Sequence, residues 1–434
     1  MVQKDNPEAS DPARSQGERA GAELENFIPF RKTAVITMCA DELPEQERES
    51  FRELATILAS VLHHRFHARI ERIKDSYHVL DPPPDLKRIA EPAWQDRVRA
   101  QESLEEELIE LAERANFTRV TEEEMKRAFE EESLIKVRLE VDRGDIDTAM
   151  FFRRGSFERE REVKSFFGLR RRTIAFRSYA KVLVYVTFRD VEHFADRDIE
   201  DLPFTPGTTM VKLFENVPRH DLEMLFPNVR VAMRPIDKLL IGVPAVISGI
   251  IVVVTKLIAS LGVLLLLIAF WLGFRDQAVE LDQAALVTIG AGLAAFGGYL
   301  VRQFNKFKNR KIQFMSTLSE NLYFRNLDNE VGVFHHLLDI AEEAEAKEAI
   351  LAYHFLRAAP EPLTSKELDQ RIEGWFAKRW NVRFDFEVRD GLRKLRELNL
   401  VEDRDGRLAA IPLDAAKRRL DERWDQVFDY NTSA

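Results

Sequence analysis

The sequence contains a single cysteine and begins without an apolar leader. Cys39 is the only cysteine among 434 residues, so one copy of the chain cannot form an internal disulfide or a cluster of thiolate metal ligands. Residues 1–25 mix acidic and basic side chains, which excludes a secretory signal peptide and disfavours an arginine-rich transit peptide. We therefore predict a flexible tail over residues 1–25 and a reducing compartment for the folded regions.

Sequence signatures of catalysis are also missing. We find no phosphate-binding loop, nucleophile elbow or metalloprotease motif, so no catalytic residue and no cofactor is predicted, and an enzyme is not favoured. His63, His64 and His67 are clustered, and His63 and His67 would share a helical face with Glu71, a set that can bind zinc. Solvated or packing histidines on a charged helix are the favoured interpretation, so no metal site is predicted.

Two long apolar runs are present near the middle of the chain. Residues 257–274 and 284–301 are each about 18 residues long and would span roughly 27 Å as helices, which is close to the hydrocarbon thickness of a bilayer. We predict a transmembrane hairpin within residues 237–303, with residues 239–255 as a helical approach. Buried core helices are the alternative, but neither run has the polar face that such helices usually carry.

Charge sets the predicted topology of this hairpin. Basic residues flank both of its ends, so both termini should be cytoplasmic, or in the matrix if the membrane is mitochondrial. Lys256 should reach the headgroups, while Trp271 and Tyr299 are suitable interfacial anchors. Small residues recur every four positions in the second helix and favour close packing on the first helix or in a homo-oligomer. They are Gly290, Ala294 and Gly298.

The region before the hairpin reads as α+β. Apolar spacing predicts a long helix over 42–77, a second over 92–117 and a third after the N-cap Thr121, which together form a helical subdomain over 26–133. Alternating apolar residues around 135–141 and 182–188, with shorter candidates at 210–214 and 229–233, predict a small antiparallel sheet within a subdomain over 134–236.

Cations are concentrated in this sheet region. Eleven lysines and arginines lie between Arg153 and Arg189, among them Arg170, Arg171 and Arg172. Such a patch can hold anionic lipid headgroups. Nucleic acid is the competing partner, although the net charge of −10 argues against general coating of nucleic acid. Lipid is preferred because the region leads into the predicted hairpin.

Three segments carry a resemblance to a known family. The sequences FIPFRK at residues 27–32, KLFENVPRHDLEMLFP at residues 212–227 and DKLLIGVP at residues 237–244 resemble uncharacterised two-pass membrane proteins that include transmembrane protein 143. The resemblance implies a membrane protein of unknown activity and supplies no catalytic residues. The family includes mitochondrial and bacterial members, and because the sequence lacks a convincing transit peptide, we predict a bacterial inner membrane. In the second motif Asp221 and Glu223 could act as acid or base, but a cap and an ion-pair partner are the favoured roles.

After a helical connector over 304–345, residues 346–430 have the element order of a winged-helix domain. Helices are predicted over 348–358, 365–380 and 387–398, followed by two short strands around the turn Asp405-Gly406. The third helix carries Arg389, Arg393, Lys394 and Arg396, as a DNA-reading helix does. Acidic residues are interleaved with these cations, so a protein-contact role is preferred.

These features predict an α+β membrane protein acting as an anchored interaction or regulatory scaffold. A tethered DNA-binding regulator and an oligomeric channel or transporter component are the alternatives. The expected partners are a lipid bilayer and a protein that the sequence does not identify.

Overall fold

The computed structural model describes residues 24–81, 85–130, 138–165, 170–232, 268–274 and 283–428. The elements follow in the order α1 (Lys32–Asp41), α2 (Glu45–Leu80), α3 (Trp94–Arg114), β1 (Thr118–Arg119), α4 (Glu122–Glu130), β2 (Arg138–Val141), β3 (Ile146–Ser165), β4 (Arg170–Phe188), β5 (Thr209–Pro218), β6 (Val229–Ala232), α5 (Gln283–Arg325), β7 (Asn326–Asn329), α6 (Val331–Ala358), α7 (Ser365–Trp380), α8 (Val388–Glu397), β8 (Val401–Arg404), β9 (Arg407–Ala410) and α9 (Leu413–Asp425).

The chain divides into two compact units. We call Met1–Tyr77, Pro92–Phe117 and Phe334–Ala434 the helical unit, and His78–Glu91 with Thr118–Val333 the sheet unit. The helical unit is therefore built from both ends of the chain, and most of the sheet unit is inserted between them.

One apolar core joins the N-terminal and C-terminal parts of the helical unit. Phe51, Leu54 and Leu58 recur at helical spacing along α2 and are buried, which gives this helix one apolar face. They belong to the same core as Tyr353 of α6 and Phe376 of α7. The C-terminal elements therefore share their hydrophobic interior with the first helices of the chain.

The last elements of the helical unit include a capped helix and a short hairpin. Thr364 and Glu367 form a reciprocal capping box at the start of α7. A bridge between Leu363 and Leu408 adds a third strand position beside the β8–β9 hairpin. The hairpin turns at Asp405-Gly406, where both residues have positive φ, as a two-residue turn of this kind requires. The observed order from α6 onward is helix, bridge, helix, helix and hairpin.

The sheet unit contains a five-stranded antiparallel sheet in the order β1-β3-β4-β5-β7. Its core includes alternate residues of the central strand, Val182, Val184 and Val186, which is the period expected when one face of a strand packs inward. β2 and β6 form a separate two-stranded sheet. The predicted α+β class is confirmed, and the sheet has more strands than expected.

β3 and β4 extend beyond the other strands. They pair from Ile146↔Phe188 to Ser165↔Arg170, whereas the pairing of β4 with β5 ends at Ser178↔Pro218. Among the described residues, the outer part of the two strands therefore forms a two-stranded ribbon. Eight paired residues per strand, from Glu158 to Ser165, correspond to about 26 Å at roughly 3.3 Å per residue.

The predicted transmembrane hairpin is contradicted by the structure. In the part of the chain that the structure describes, no helix is long and apolar enough to cross a membrane. The second predicted segment, 284–301, is the beginning of α5, which continues unbroken through Arg302, Lys308 and Arg310 to Arg325. Of the first predicted segment, 257–274, only residues 268–274 are described, and the predicted approach 239–255 lies outside the described residues.

The predicted fold class of a two-pass membrane protein, its inner-membrane location and its cytoplasmic termini depended on this hairpin and are corrected with it. The physical reason is that an apolar run with basic flanks does not show where the helix that contains it ends. In the structure, the apolar run 284–301 is one part of a longer helix that also carries many charged residues.

Candidate functional site

α8 packs closely on α6 through a glycine. A β-carbon built on Gly391 would lie 2.9 Å from the main-chain oxygen of Glu348 and 3.4 Å from the β-carbon of Ala352. Leu392 and Leu395 are buried beside it. Because Gly391 has no side chain, α8 can approach α6 this closely.

Lys394, one of the four predicted contact residues, lies inside the protein. Its Nζ is 2.7 Å from Oε2 of Glu348, and the two side chains are 2% and 6% exposed. Burial raises the pKa of Glu348 to about 7, while the adjacent ammonium of Lys394 acts in the opposite direction. A cation held in this way stabilises the contact between α6 and α8 and cannot reach a ligand in solvent.

The other cations of α8 are mostly paired. Arg393 lies 3.1 Å from Asp390 and 3.8 Å from Glu397, and Arg396 lies 2.9 Å from Asp403 of β8. Arg389 is exposed and has no ion pair among the described residues. DNA affinity depends on cations that are free to neutralise phosphates. The side chains of α8 therefore offer fewer free cations to DNA than its sequence suggests.

Residues before α1 are bound to the same module. We call residues 24–31 the strap; the main chain here is extended or bent rather than helical. Nζ of the buried Lys347 donates hydrogen bonds to the carbonyl oxygens of Ile28, at 3.0 Å, and Phe30, at 2.9 Å. The amide of Asp385 donates to the carbonyl of Glu25 at 3.0 Å.

Side chains fix the strap at both ends. The ring of Phe30 stacks on Phe376, with centroids 5.6 Å apart, and meets Trp380 edge-on at 6.0 Å. Asn26 donates to Glu387, and the amide of Lys32 donates to Glu343 at 2.7 Å. The motif FIPFRK thus has a structural explanation, since it forms the segment that joins the start of the chain to α6, α7 and the residues preceding α8.

The acidic residues near the middle of α6 pair with other residues of the helical unit. Glu342 contacts Lys32 and Nδ1 of His63, at 3.4 and 2.6 Å. Glu345 accepts from Arg114 at 2.7 Å. Among the described residues no histidine, cysteine, aspartate or glutamate group could hold a metal ion, and Nδ1 of His63 lies within hydrogen-bond distance of Glu342.

The burial of two side chains of this unit, those of His354 and Cys39, was not predicted from the sequence. His354 is 3% exposed, and burial lowers its pKa to about 4. Its ring meets Phe51 edge-on at 5.6 Å. Cys39 is also buried, and burial raises the pKa of its thiol well above the ordinary range. A buried, protonated thiol is a poor nucleophile, so neither residue presents a reactive group to solvent.

Basic residues of the sheet unit occupy several environments. Arg153 lies over the ring of Tyr179 at 5.5 Å, and Arg159 donates to Asn216 at 2.9 Å. Arg177 is exposed on the ribbon. Arg170, Arg171 and Arg172 open β4 opposite Ser165, Lys164 and Val163. The predicted lipid contact of these three arginines stays a prediction.

The remaining predicted contact residues lie on α5, in residues 268–274 or outside the described residues. Gly290, Ala294 and Gly298 share an exposed side of α5, and β-carbons added at the two glycines would have no described atom within 4 Å. Trp271 is 83% exposed, Tyr299 is partly buried, and Lys256 lies outside the described residues. The predicted helix packing and interfacial anchoring therefore stay untested.

Asp221 has an ion-pair role. It lies in a 3₁₀ helix, Arg219–Leu225, that follows β5, and its Oδ2 is 3.2 Å from Nη1 of Arg325 at the end of α5. Asp221 is 2% exposed and Arg325 is 20% exposed. The pair joins the KLFENVPRHDLEMLFP motif, residues 212–227, to the end of α5.

Part of the chain matches the model of a known protein family. A family model described as "Protein of unknown function (DUF3754)" matches residues 179–332. No solved structure matches the chain. The matched range includes half of β4, β5, the Asp221–Arg325 pair and α5. The chain is therefore similar to an uncharacterised domain family over this range, and nothing in the match links it to transmembrane protein 143.

Proposed function

We propose that this chain is an interaction protein whose C-terminal module, residues 346–428, contacts another protein rather than DNA. The observation that carries this proposal is the burial of Lys394 in its ion pair with Glu348. With Arg393 and Arg396 also paired, the helix that would read DNA is left with Arg389 as its exposed cation without a described ion pair.

A biochemical activity is not part of this proposal. The matched family has no assigned activity, and no metal-binding group occurs among the described residues. The motif at residues 212–227 resembles proteins related to transmembrane protein 143, and we infer that these proteins and the matched family share the Asp221 block as a packing element.

DNA reading by α8 is the rival function, and charge reversal at Arg389 separates the two. The full chain is titrated with a fluorescent DNA duplex at about 50 and 200 mM salt. DNA reading by α8 requires saturable binding that weakens steeply with salt and is lost in Arg389→Glu. The proposal expects no such Arg389-dependent binding.

Proximity labelling in cells tests the protein contact. The full chain, Arg389→Glu and the matched control Lys126→Glu are compared, because Lys126 is an exposed cation of the sheet unit. The proposal expects at least one protein neighbour to be lost in Arg389→Glu and kept in Lys126→Glu. Identical neighbours for all three chains would refute contact through α8.

A further inference from the structure

The strap is held in the manner of a bound peptide. Its main-chain carbonyls at Glu25, Ile28 and Phe30 accept hydrogen bonds from the rest of the helical unit, and that of Asn26 accepts from Asn116 at 3.1 Å. Extended peptides are commonly recognised in this way, with main-chain hydrogen bonds supplying affinity and side-chain pockets supplying specificity.

The pocket for the strap is chemically selective. Phe376 and Trp380 contact the ring of Phe30, and Phe384 packs against Phe376 at 5.1 Å. At the C-terminal end of the strap, Glu342 and Glu343 accept from the side chain and amide of Lys32. This surface therefore favours an aromatic residue followed closely by a cation.

We propose that this surface is a peptide-recognition site for an extended partner segment of the chemistry Phe-Ile-Pro-Phe-Arg-Lys, and that the chain's own strap occupies it in cis. The inference rests on the protein-contact role proposed above and names the kind of partner. The attached strap competes at an effective concentration on the order of millimolar, so a partner segment binds after the strap has left.

The test uses the full chain and a labelled peptide with the sequence of residues 24–32. In Phe30→Ala the strap loses its aromatic anchor, so the pocket is free more often. We expect the peptide to bind this variant at least tenfold more tightly than the unaltered chain, by fluorescence anisotropy. Arg31→Ala is the matched control, because Arg31 is the exposed neighbour of Phe30, and it should bind as the unaltered chain does.

A second peptide, with alanine in place of its second phenylalanine, should bind none of the chains. Equal affinity of the first peptide for Phe30→Ala and the unaltered chain, with cooperative thermal unfolding retained, would overturn the proposal. A stable dimer of Phe30→Ala that excludes the peptide would overturn it as well, since the occupant would then be a second copy.

Hydrogen exchange on the unaltered chain keeps the inference testable if Phe30→Ala fails to fold. Amides of residues 24–35 should exchange faster than those of α6 and α7, because the strap opens without global unfolding. Exchange of all three segments at one rate would refute a displaceable strap. Arg389-dependent neighbours in cells, with no peptide binding in solution, would remove this inference and leave the proposed function standing.

Discussion

Gly391 and Glu348 approach so closely that the main-chain oxygen of Glu348 occupies the space of a side chain at Gly391. The distance from that oxygen to a β-carbon at Gly391 would be 2.9 Å. Because the atom in the way is main chain, the clash cannot be relieved by rotating a side chain. The contact between α6 and α8 should therefore be sensitive to a single methyl group.

Gly391→Ala should lower the free energy of unfolding by about 1–3 kcal/mol, as expected when an extra methyl group is forced into a packed interior. Gly374→Ala is the matched substitution, since Gly374 lies within α7 and a β-carbon there has no described atom within 4 Å. It should raise stability by about 0.5–1 kcal/mol through helix propensity. Urea unfolding measures the change in the free energy of unfolding for each variant. Equal changes in the two variants would contradict the close packing of Gly391 on Glu348.

Lys394→Met should destabilise the chain by about 3–5 kcal/mol, because it leaves the buried carboxyl of Glu348 without its partner. Adding Glu348→Leu removes the unpaired group and should recover most of this loss. The double-mutant cycle is measured by urea unfolding. The cycle includes Glu348→Leu alone, and a loss in the double variant equal to the sum of the two single losses would show that Lys394 and Glu348 are not energetically coupled.

His354 should make stability depend on pH. Burial lowers its pKa from 6.5 to about 4, so the folded state favours the neutral ring. The resulting stabilisation is complete above about pH 6.5 and is lost as the pH falls through about 4, a change of about 3 kcal/mol. His354→Phe should remove the contribution of this ring to the difference in the free energy of unfolding between pH 7.5 and pH 4.5.

Exposed His193 supplies the control for that experiment. His193→Phe should leave the pH dependence of unfolding as it is in the unaltered chain. An unchanged dependence in His354→Phe would mean that the ring is protonated or solvated in the folded protein.

Arg325→Met should destabilise the sheet unit by about 3 kcal/mol, since it removes the arginine partner of the buried carboxylate of Asp221. Arg302→Met changes an exposed arginine of the same helix and should alter stability by about 0.5 kcal/mol or less. Denaturant unfolding compares the two. Similar small effects would argue that Asp221 is satisfied without Arg325.

Local signals in the sequence predicted several elements well. The apolar spacing of α2 and the N-cap Thr121 are examples; Thr121 accepts from the amide of Glu124 at 3.2 Å. The turn Asp405-Gly406 joins the predicted strands. These features depend on neighbours within a few residues, so periodicity and capping chemistry are enough to find them.

Features that depend on distant residues were missed. The outer part of β3 alternates Glu158, Arg159 and Glu160 and lacks the apolar period of a half-buried strand, although β4 pairs with it. Lys394 of the predicted third helix was expected at the surface, but it is buried because it pairs with Glu348, 46 residues earlier in the chain. The strap has no periodic apolar pattern from which its contacts could be predicted. Its partners, Lys347, Phe376 and Asp385, lie far from it in the sequence.

The division of the helical unit between the two ends of the chain has a consequence for biosynthesis. A ribosome makes α1 and α2 first, yet the core that buries Phe51 and Leu54 is completed by residues after Ala346. The apolar faces of α1 and α2 therefore lack these packing partners while about 290 further residues are synthesised, which takes roughly 15–60 s at the usual rates of elongation. During that interval the nascent chain is a natural client for chaperones, and truncation after the sheet unit should leave the opening helices prone to aggregation.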